Sequence, residues 1–307
     1  MGSETNLRRP LTSVVITVRN EERHLARLLD SLLVQEGPFE VVVVDAESRD
    51  RTFEIAAAYA ARYPDRILAV RRSGSRGVGR NAGAERARGE YVAFIDGDCY
   101  ADPQWLGRMR AGLATAQVVA GRTENVGKPR YGQLERVELF QSGYDVTYPS
   151  CNLAYRRELF QRLGGFDPRF VTAEDIDLNL RAVRVGASIG YDPGALVYHQ
   201  MRATFVRFLY QAFWNGYGRK QLTEKHGSLW GRYRVRRLIT GQRSVVAWAR
   251  LTAAFAGYAF RVLTGSDHRL TPAPAPGARP PTRDGGTGGS EDGGPRPPSS
   301  PSVLRRP

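Results

Sequence analysis

Two carboxylates separated by one glycine end an apolar stretch, Tyr91-Val-Ala-Phe-Ile-Asp-Gly-Asp-Cys99. The β-branched and aromatic residues before Asp96 predict a buried strand, so Asp96 and Asp98 should lie at its carboxyl end. In an open α/β sheet, ligands bind at that edge. Two carboxylates there suit a hard divalent cation bound together with a phosphorylated ligand. The alternative is an ordinary turn, because Asp and Gly often begin turns.

A second acidic pair, Glu174-Asp175, begins a segment with helical spacing that continues to Val185 and is followed by Gly186. Acidic residues are favoured in the first turn of a helix because they interact with the helix dipole. From the residues alone, this helix-stabilising role is the simpler explanation of the pair.

A basic, glycine-rich stretch precedes the strand that ends at Asp96. It reads Arg71-Arg-Ser-Gly-Ser-Arg-Gly-Val-Gly-Arg-Asn-Ala-Gly83. It lacks P-loop spacing, and it follows the third predicted strand instead of the first, where a dinucleotide fingerprint would stand. An anion site and a solvated loop both fit this pattern.

Strands and helices alternate along the first hundred residues. Apolar runs predict strands at Val14–Val18, Glu40–Val44 and Ile67–Val70, and leucines recur at helical spacing between Leu25 and Leu33. Continuous apolar strands separated by helices predict an α/β fold with a mostly parallel central sheet and helices on both faces.

The formal net charge is +14, which favours acidic partners such as nucleotides, nucleic acid or an anionic membrane surface. The excess is concentrated between Met201 and Arg261, where twelve Lys or Arg side chains accompany one acid, Glu224.

The chain has two cysteines, Cys99 and Cys151, without the spacing of a zinc site. We therefore expect a reducing compartment, and we expect both cysteines to be small buried residues with free thiols. Met1–Pro10 has no apolar core typical of a secretory signal, and no apolar run reaches the length of a membrane-spanning helix, so we expect a cytoplasmic location.

Composition divides the chain into four parts. Residues 1–10 and the Pro, Gly and Arg-rich residues 266–307 are expected to be disordered, and residues 11–200 to form the main domain. Residues 201–265 are basic, aromatic and helical in pattern. This region is expected to lie on an anionic membrane surface at the inner face of the cell membrane, to pack on the main domain, or to form a dimer contact.

Several segments occur in an order that resembles a known family. They are Val15-Ile-Thr-Val-Arg-Asn-Glu21, Val43-Val-Asp-Ala-Glu-Ser-Arg-Asp-Arg-Thr52, Gly79-Arg-Asn-Ala-Gly83, Phe94-Ile-Asp-Gly-Asp98 and Cys151-Asn-Leu-Ala-Tyr-Arg-Arg157, followed by Gly164-Gly-Phe-Asp167 and Glu174-Asp-Ile-Asp-Leu178. Over residues 11–200 the chain resembles the family-2 inverting glycosyltransferases, which have the Rossmann-like nucleotide-diphospho-sugar transferase (GT-A) fold.

The resemblance implies roles for the first acidic pair and the residues around it. Asp98 would bind Mg²⁺ or Mn²⁺, and Asp96 would contact the ribose or share the metal. His199 would either contact the metal or diphosphate or be a hydrogen-bonded structural residue. The remaining residues implied to bind the nucleotide sugar are Thr17, Arg19, Glu21, Asp45, Glu47, Arg76, Gly79, Arg80 and Asn81, with Arg80 and Arg76 on phosphate.

The family's second acid after the second strand is replaced here by Ala46, which leaves the nucleotide base open. The resemblance also implies that Asp175, beside Glu174, is the general base for an acceptor hydroxyl. The donor would be a nucleoside-diphosphate sugar, and the acceptor a glycan or a lipid-linked molecule.

Other functions remain open at this point. The positive charge suggests a nucleic-acid-binding protein, but no nucleic-acid motif accompanies the basic run. A nucleotidyltransferase of similar fold would need a glycine-rich signature where Thr17-Val-Arg-Asn-Glu21 stands. A non-catalytic relative is a further alternative, although Asp96, Asp98 and Asp175 are all present.

Overall fold

A computed structural model describes residues 11–127, 137–200, 204–229, 231 and 245–265. The segments expected to be disordered, 1–10 and 266–307, and the basic run Arg232–Arg237 lie outside these residues. In chain order the elements are β1 (Thr12–Val18), α1 (Leu25–Leu33), β2 (Phe39–Asp45), α2 (Thr52–Arg62), β3 (Ile67–Arg71), α3 (Arg76–Arg86), β4 (Tyr91–Asp96), β5 (Cys99–Ala101), α4 (Trp105–Thr115), β6 (Val118–Val126), β7 (Phe140–Gln141), β8 (Tyr144–Asp145), β9 (Asn152–Arg156), α5 (Arg157–Arg162), α6 (Glu174–Arg184), β10 (Ile189–Gln200), α7 (Phe205–His226) and α8 (Val245–Thr264).

Within the described residues, eight strands form one sheet in the order β3-β2-β1-β4-β9-β6-β10-β5. The pairs among β3, β2, β1 and β4 are parallel, as is β6 with β10, whereas β9 and β5 run antiparallel to their neighbours. The predicted mostly parallel sheet is therefore confirmed. The chain leaves β1 in one direction toward β2 and reaches β4 on its other side, which creates a crevice at their carboxyl ends.

The sheet is buried on both faces, which explains its continuous apolar strands. Val14 and Ile16 pack with α1, α2 and α4 on one face, whereas Val15 and Phe94 pack with α5 and α6 on the other. Successive residues of a strand point to opposite faces, so each strand contributes to both clusters.

Helices α7 and α8 pack against each other at two glycines. A Cβ placed on Gly216 would lie 1.8 Å from the Ala254 carbonyl oxygen, and one on Gly257 would lie 1.8 Å from the Phe213 carbonyl oxygen. Only glycine allows the two backbones to approach this closely. None of the helices described here has the length and apolarity needed to cross a bilayer.

We predict that Gly257→Ala lowers the free energy of unfolding by about 1–3 kcal/mol, because the added methyl group must push α7 and α8 apart. Gly107→Ala is the matched control, since it lies in α4 with no atom within 4 Å of its added Cβ. The control should be neutral or stabilising by up to about 1 kcal/mol through helix propensity. Urea unfolding monitored by circular dichroism measures both, and equal effects would contradict the close packing.

Candidate active site

A cleft of about 2030 Å³ opens at the carboxyl ends of β1 and β4. The strand register explains why predicted residues meet there, because Thr17 pairs with Asp96, and Val18 with Asp45, across parallel ladders. The predicted site residues that line the cleft are Thr17, Arg19, Glu21, Arg76, Gly79, Asp96, Asp98, Glu174, Asp175 and His199.

The glycine between the two aspartates is required by close packing. A Cβ on Gly97 would lie 2.7 Å from Val18 Cγ1 and 3.1 Å from Glu21 Cγ. A larger residue would therefore displace the turn that carries Asp98 away from the end of β1.

Arg80 holds together two acids from distant parts of the chain. Its guanidinium donates to Asp96 Oδ1 at 2.7 Å and to Glu174 Oε1 at 2.6 Å, and the side chain is 2% exposed. Burial alone would raise the pKa of Asp96, but Arg80, with help from Arg76, holds it below its ordinary value. Asp96 is therefore ionised, and β4 is tied to the first turn of α6.

Glycines bring Arg80 to this position. A Cβ on Gly79 would lie 2.8 Å from Thr17 Cγ2, and one on Gly83 would lie 2.4 Å from Val15 Cγ1. Helix α3 consequently packs closely against β1, and its arginine extends below the cleft.

Arg80 and Asn81 have partners within the protein, and their expected contacts with the nucleotide sugar stay predictions. Arg80 does not line the cleft, and its buried guanidinium bonds two carboxylates. Asn81 accepts from the Phe166 amide and donates to the Phe166 carbonyl, at 2.9 and 2.7 Å. This pairing fixes the loop before α6.

Asp45 and Glu47 also lie outside the cleft lining. Asp45 is fully buried at the end of β2, where it accepts from the Ser48 amide and lies 3.9 Å from Arg71 Nε. Glu47 is exposed, with a backbone φ of 57°. Ala46, in the position of the family's second acid, does line the cleft.

Asp175 is the basic carboxylate of the site. Burial raises the pKa of Asp175 to about 6, and the adjacent Glu174 carboxylate adds to the increase. Its oxygens accept from the Ser150 amide at 3.1 Å and from the Ile176 amide at 2.8 Å, which fixes the carboxylate at the start of α6. A carboxylate whose pKa is raised toward neutrality is suited to accept a proton.

The opposite part of the cleft contains an aspartate and a histidine. Asp98 Oδ1 lies 3.5 Å from His199 Nε2, and His199 Nδ1 lies 3.1 Å from Asn125 Oδ1. Burial would lower the pKa of His199, but its hydrogen bond to Asp98 raises it to about 9. Two atoms bound to one cation at about 2.1 Å are about 3 to 3.5 Å apart, so this pair fits a divalent cation.

Helix α6 is fixed from below by buried charges on α7. Lys225 Nζ lies 2.7 Å from both Asp167 Oδ2 and Asp177 Oδ1, and His226 Nε2 lies 2.7 Å from the same Asp177 oxygen. Arg181 completes the pairing of Asp177 at 2.8 Å. Because Asp177 follows Asp175 by two residues, α7 helps to position the base.

Several residues that line the cleft were not predicted from the sequence. Tyr148 and Tyr191 stack with ring centroids 5.4 Å apart beside the Ser150 amide that binds Asp175. Trp214 and Arg219 of α7 also line the cleft. The aromatic stacking joins residues far apart in sequence, so no local pattern indicates it.

The sequence profile of Glycosyl transferase family 2 matches residues 13–164, and that of Glycosyl transferase family group 2 matches residues 130–272. Glycosyltransferase AglE of Haloferax volcanii is 28% identical over 229 residues, which are 69% of this chain and 74% of the relative.

Two solved structures share the fold. Mannosyltransferase PcManGT from Pyrobaculum calidifontis, in complex with GDP-Man and Mn²⁺, aligns with a TM-score of 0.59 at 24% identity over 84% of this chain and 76% of its own. S. aureus TarS 1–349, in complex with UDP-GlcNAc, aligns with a TM-score of 0.53 at 19% identity, covering 83% and 92%. The expected GT-A fold is therefore confirmed.

We predict that Arg80→Met destabilises the protein by about 3–5 kcal/mol, because it leaves Asp96 and Glu174 without their buried counter-charge. Arg51→Met is the matched control, since the Arg51–Glu54 pair is 79% and 71% exposed and should contribute under about 1 kcal/mol. Adding Glu174→Gln to Arg80→Met should restore part of the loss. Equal midpoints for Arg80→Met and Arg51→Met in urea unfolding would contradict this role.

Proposed function

Because this chain belongs to glycosyl transferase family 2 and is a glycosyltransferase, we propose that it transfers a sugar from a nucleoside-diphosphate sugar in a single inverting displacement. The observation that carries the proposal is Asp175. It is a carboxylate with a pKa of about 6 that lines the same cleft as the Asp98–His199 pair. The acceptor group is a hydroxyl or phosphate of a glycan or a lipid-linked molecule.

The donor end of the cleft is assigned to the carboxyl ends of β1 and β4. Asp98 and His199 would hold Mn²⁺ or Mg²⁺, and the imidazole favours Mn²⁺, because Mg²⁺ prefers oxygen ligands and water. When bound, the cation supplies Lewis-acid stabilisation of the departing diphosphate. Asp96, ionised beside Arg80, is available to the ribose, and the exposed Arg76 to phosphate.

The acceptor end is assigned to Asp175. Its carboxylate takes the proton of the acceptor hydroxyl as the oxygen attacks the anomeric carbon from the face opposite the diphosphate. The Ser150 and Ile176 amides orient it, so that one oxygen position is fixed during the proton transfer. Such general-base assistance contributes about 10²–10⁴-fold in rate.

The nucleotide base is a matter for experiment, because PcManGT was solved with GDP-Man and TarS with UDP-GlcNAc. Ala46 lines the cleft where the family carries an acid, and Asp45 is buried behind it. We therefore assign contact with the base to Ala46, with Asp45 holding the turn behind it through the Ser48 amide.

A panel of UDP-, GDP- and dTDP-sugars with and without Mn²⁺ is predicted to raise the melting temperature by several degrees for one donor. Binding at about 100 times the Kd contributes about 2.7 kcal/mol to stability. The shift should require Mn²⁺ and vanish in Asp98→Ala, whereas the control Asp65→Ala, at an exposed turn, should keep it. No shift with any sugar nucleotide would contradict the proposed donor class.

Asp175→Asn is predicted to reduce transfer by about 10²–10⁴-fold while the Kd for the donor changes less than about twofold. The amide keeps the shape of the carboxylate and an oxygen for the Ser150 amide but cannot accept the proton. Calorimetric donor titration and release of nucleoside diphosphate during transfer to acceptor or water measure the two effects. Retained turnover would remove Asp175 as the base.

We further propose that α7 and α8 rest on an anionic membrane surface. Large apolar side chains on these helices are exposed, including Val206 (75%) and Leu263 (84%), and the exposed Arg207 follows Val206 in the sequence. Part of α7 does pack on the main domain, through Lys225 and through hydrogen bonds between Gln221 and residues Arg169 and Val171. The two arrangements expected from the sequence are therefore compatible.

The double variant Val206→Glu/Leu263→Glu is predicted to reduce binding to vesicles containing anionic lipid at least about tenfold. Each apolar side chain contributes about 1.5–3 kcal/mol when it leaves water. Val34→Glu, at an exposed apolar residue that directly follows α1, is the control and should bind like the wild type. Co-sedimentation at low salt measures binding, and a wild type that ignores the vesicles would refute the membrane surface.

A further inference from the structure

A thiol lies beside the two residues assigned to the cation. One ligand atom from each of Asp98, Cys99 and His199 lies within 4.8 Å of the others. Cys99 Sγ is 3.9 Å from the same Asp98 Oδ1 that is 3.5 Å from His199 Nε2. Oxygen, nitrogen and sulfur donors therefore surround one point.

Strand pairing brings this set together. Cys99 is directly opposite His199 in the antiparallel ladder of β5 and β10, so both side chains project from the same face. The next pair, Tyr100 and Tyr198, stacks with centroids 4.9 Å apart. Since neighbouring pairs alternate between faces, the tyrosines occupy the other side, and the thiol and imidazole share the side of Asp98.

The imidazole is oriented for coordination. Nδ1 lies 3.1 Å from Asn125 Oδ1, a carbonyl oxygen that can only accept, so Nδ1 carries a hydrogen. Nε2 therefore faces Asp98, and a cation there would take the place of the Nε2 proton. A hydrogen bond on the far nitrogen is typical of metal-binding histidines.

We propose that Cys99 Sγ is a third protein ligand of the cation, so that this chain has a mixed Asp98–Cys99–His199 site. The inference rests on the cation site of the proposed function and specifies its chemistry. On binding, the Cys99 thiol releases its proton to solvent and the sulfur forms a bond to the cation, with no change of oxidation state. Thiolate favours Co²⁺ and Zn²⁺ and disfavours Mg²⁺.

Cys99 is 2% exposed and does not line the cleft, so its sulfur would reach a cation held by Asp98 and His199 from beneath the cleft surface. The second thiol, Cys151, lies 3.8 Å from Thr123 Oγ1 and does not belong to the three-residue set. Since the chain has two cysteines, any sulfur ligand must be one of them. Cys151 neighbours Cys99 and also lines the cleft, so its variant tests which of the two sulfurs binds the cation.

The experiment is a Co²⁺ titration of the reduced full chain. Two signals are recorded: the visible absorption bands of cobalt and the near-ultraviolet band of thiolate-to-cobalt charge transfer. The wild type and Cys151→Ala should show both signals. Cys99→Ala should keep the visible cobalt bands, lose the charge-transfer band and bind Co²⁺ at least about tenfold more weakly. If Cys99→Ala does not fold, Cys99→Ser, which has nearly the same volume, replaces it. Cys99→Ser should also lose the charge-transfer band.

The outcomes are distinct. Visible cobalt bands without charge transfer in the wild type would overturn the sulfur ligand while leaving the Asp98–His199 site intact. Charge transfer lost in Cys151→Ala and kept in Cys99→Ala would also overturn it. Absence of any Co²⁺ binding in calorimetry would overturn both the inference and the cation in the proposed function, and donor binding without metal would then be tested separately.

Discussion

One buried guanidinium organises the candidate site. Arg80 of α3 joins Asp96 at the end of β4 to Glu174 at the start of α6, and all three charges lie at the base of the cleft. Removing a charge from water is costly, so this contact is stable only if both carboxylates stay in place. The glycines of α3 are a consequence, because they let the helix approach β1 closely enough for Arg80 to reach both acids. Arg80 thereby sets the position of β4 relative to the first turn of α6.

The acids around Arg80 differ in the partners that surround them. Arg80 pairs directly with Asp96 and Glu174, whereas Asp175 accepts hydrogen bonds from two backbone amides and lies beside Glu174 in the sequence. Asp96 is therefore stabilised as an anion, whereas burial, with the adjacent Glu174 carboxylate, raises the pKa of Asp175 despite the two amides. Lys225 fixes α6 from the opposite side through Asp177. Because α6 is held through Glu174 and through Asp177, the position of Asp175 between them is fixed.

Local patterns predicted the parallel sheet and the acids at its edge, because apolar runs, turn residues and helix starts are properties of short segments. They could not predict the partner of Arg80, since Glu174 is 94 residues away and the match depends on how α6 docks. The family resemblance implied that Arg80 contacts phosphate, because the sequence does not show that Asp96 and Glu174 both lie beside it. Cys99 was read as a buried apolar residue, because its relation to His199 exists only in the register of β5 with β10.

Burial and the neighbouring Glu174 carboxylate raise the pKa of Asp175 to about 6, whereas Arg80 holds the pKa of Asp96 below its ordinary value. Carbon-13 NMR titration of aspartate carboxyl groups measures this directly, with the Asp175 signal assigned by its absence in Asp175→Asn. The account predicts a midpoint near pH 6 for Asp175, with Asp96 titrating below its ordinary value. A midpoint for Asp175 at or below the ordinary aspartate value of about 3.9 would contradict it.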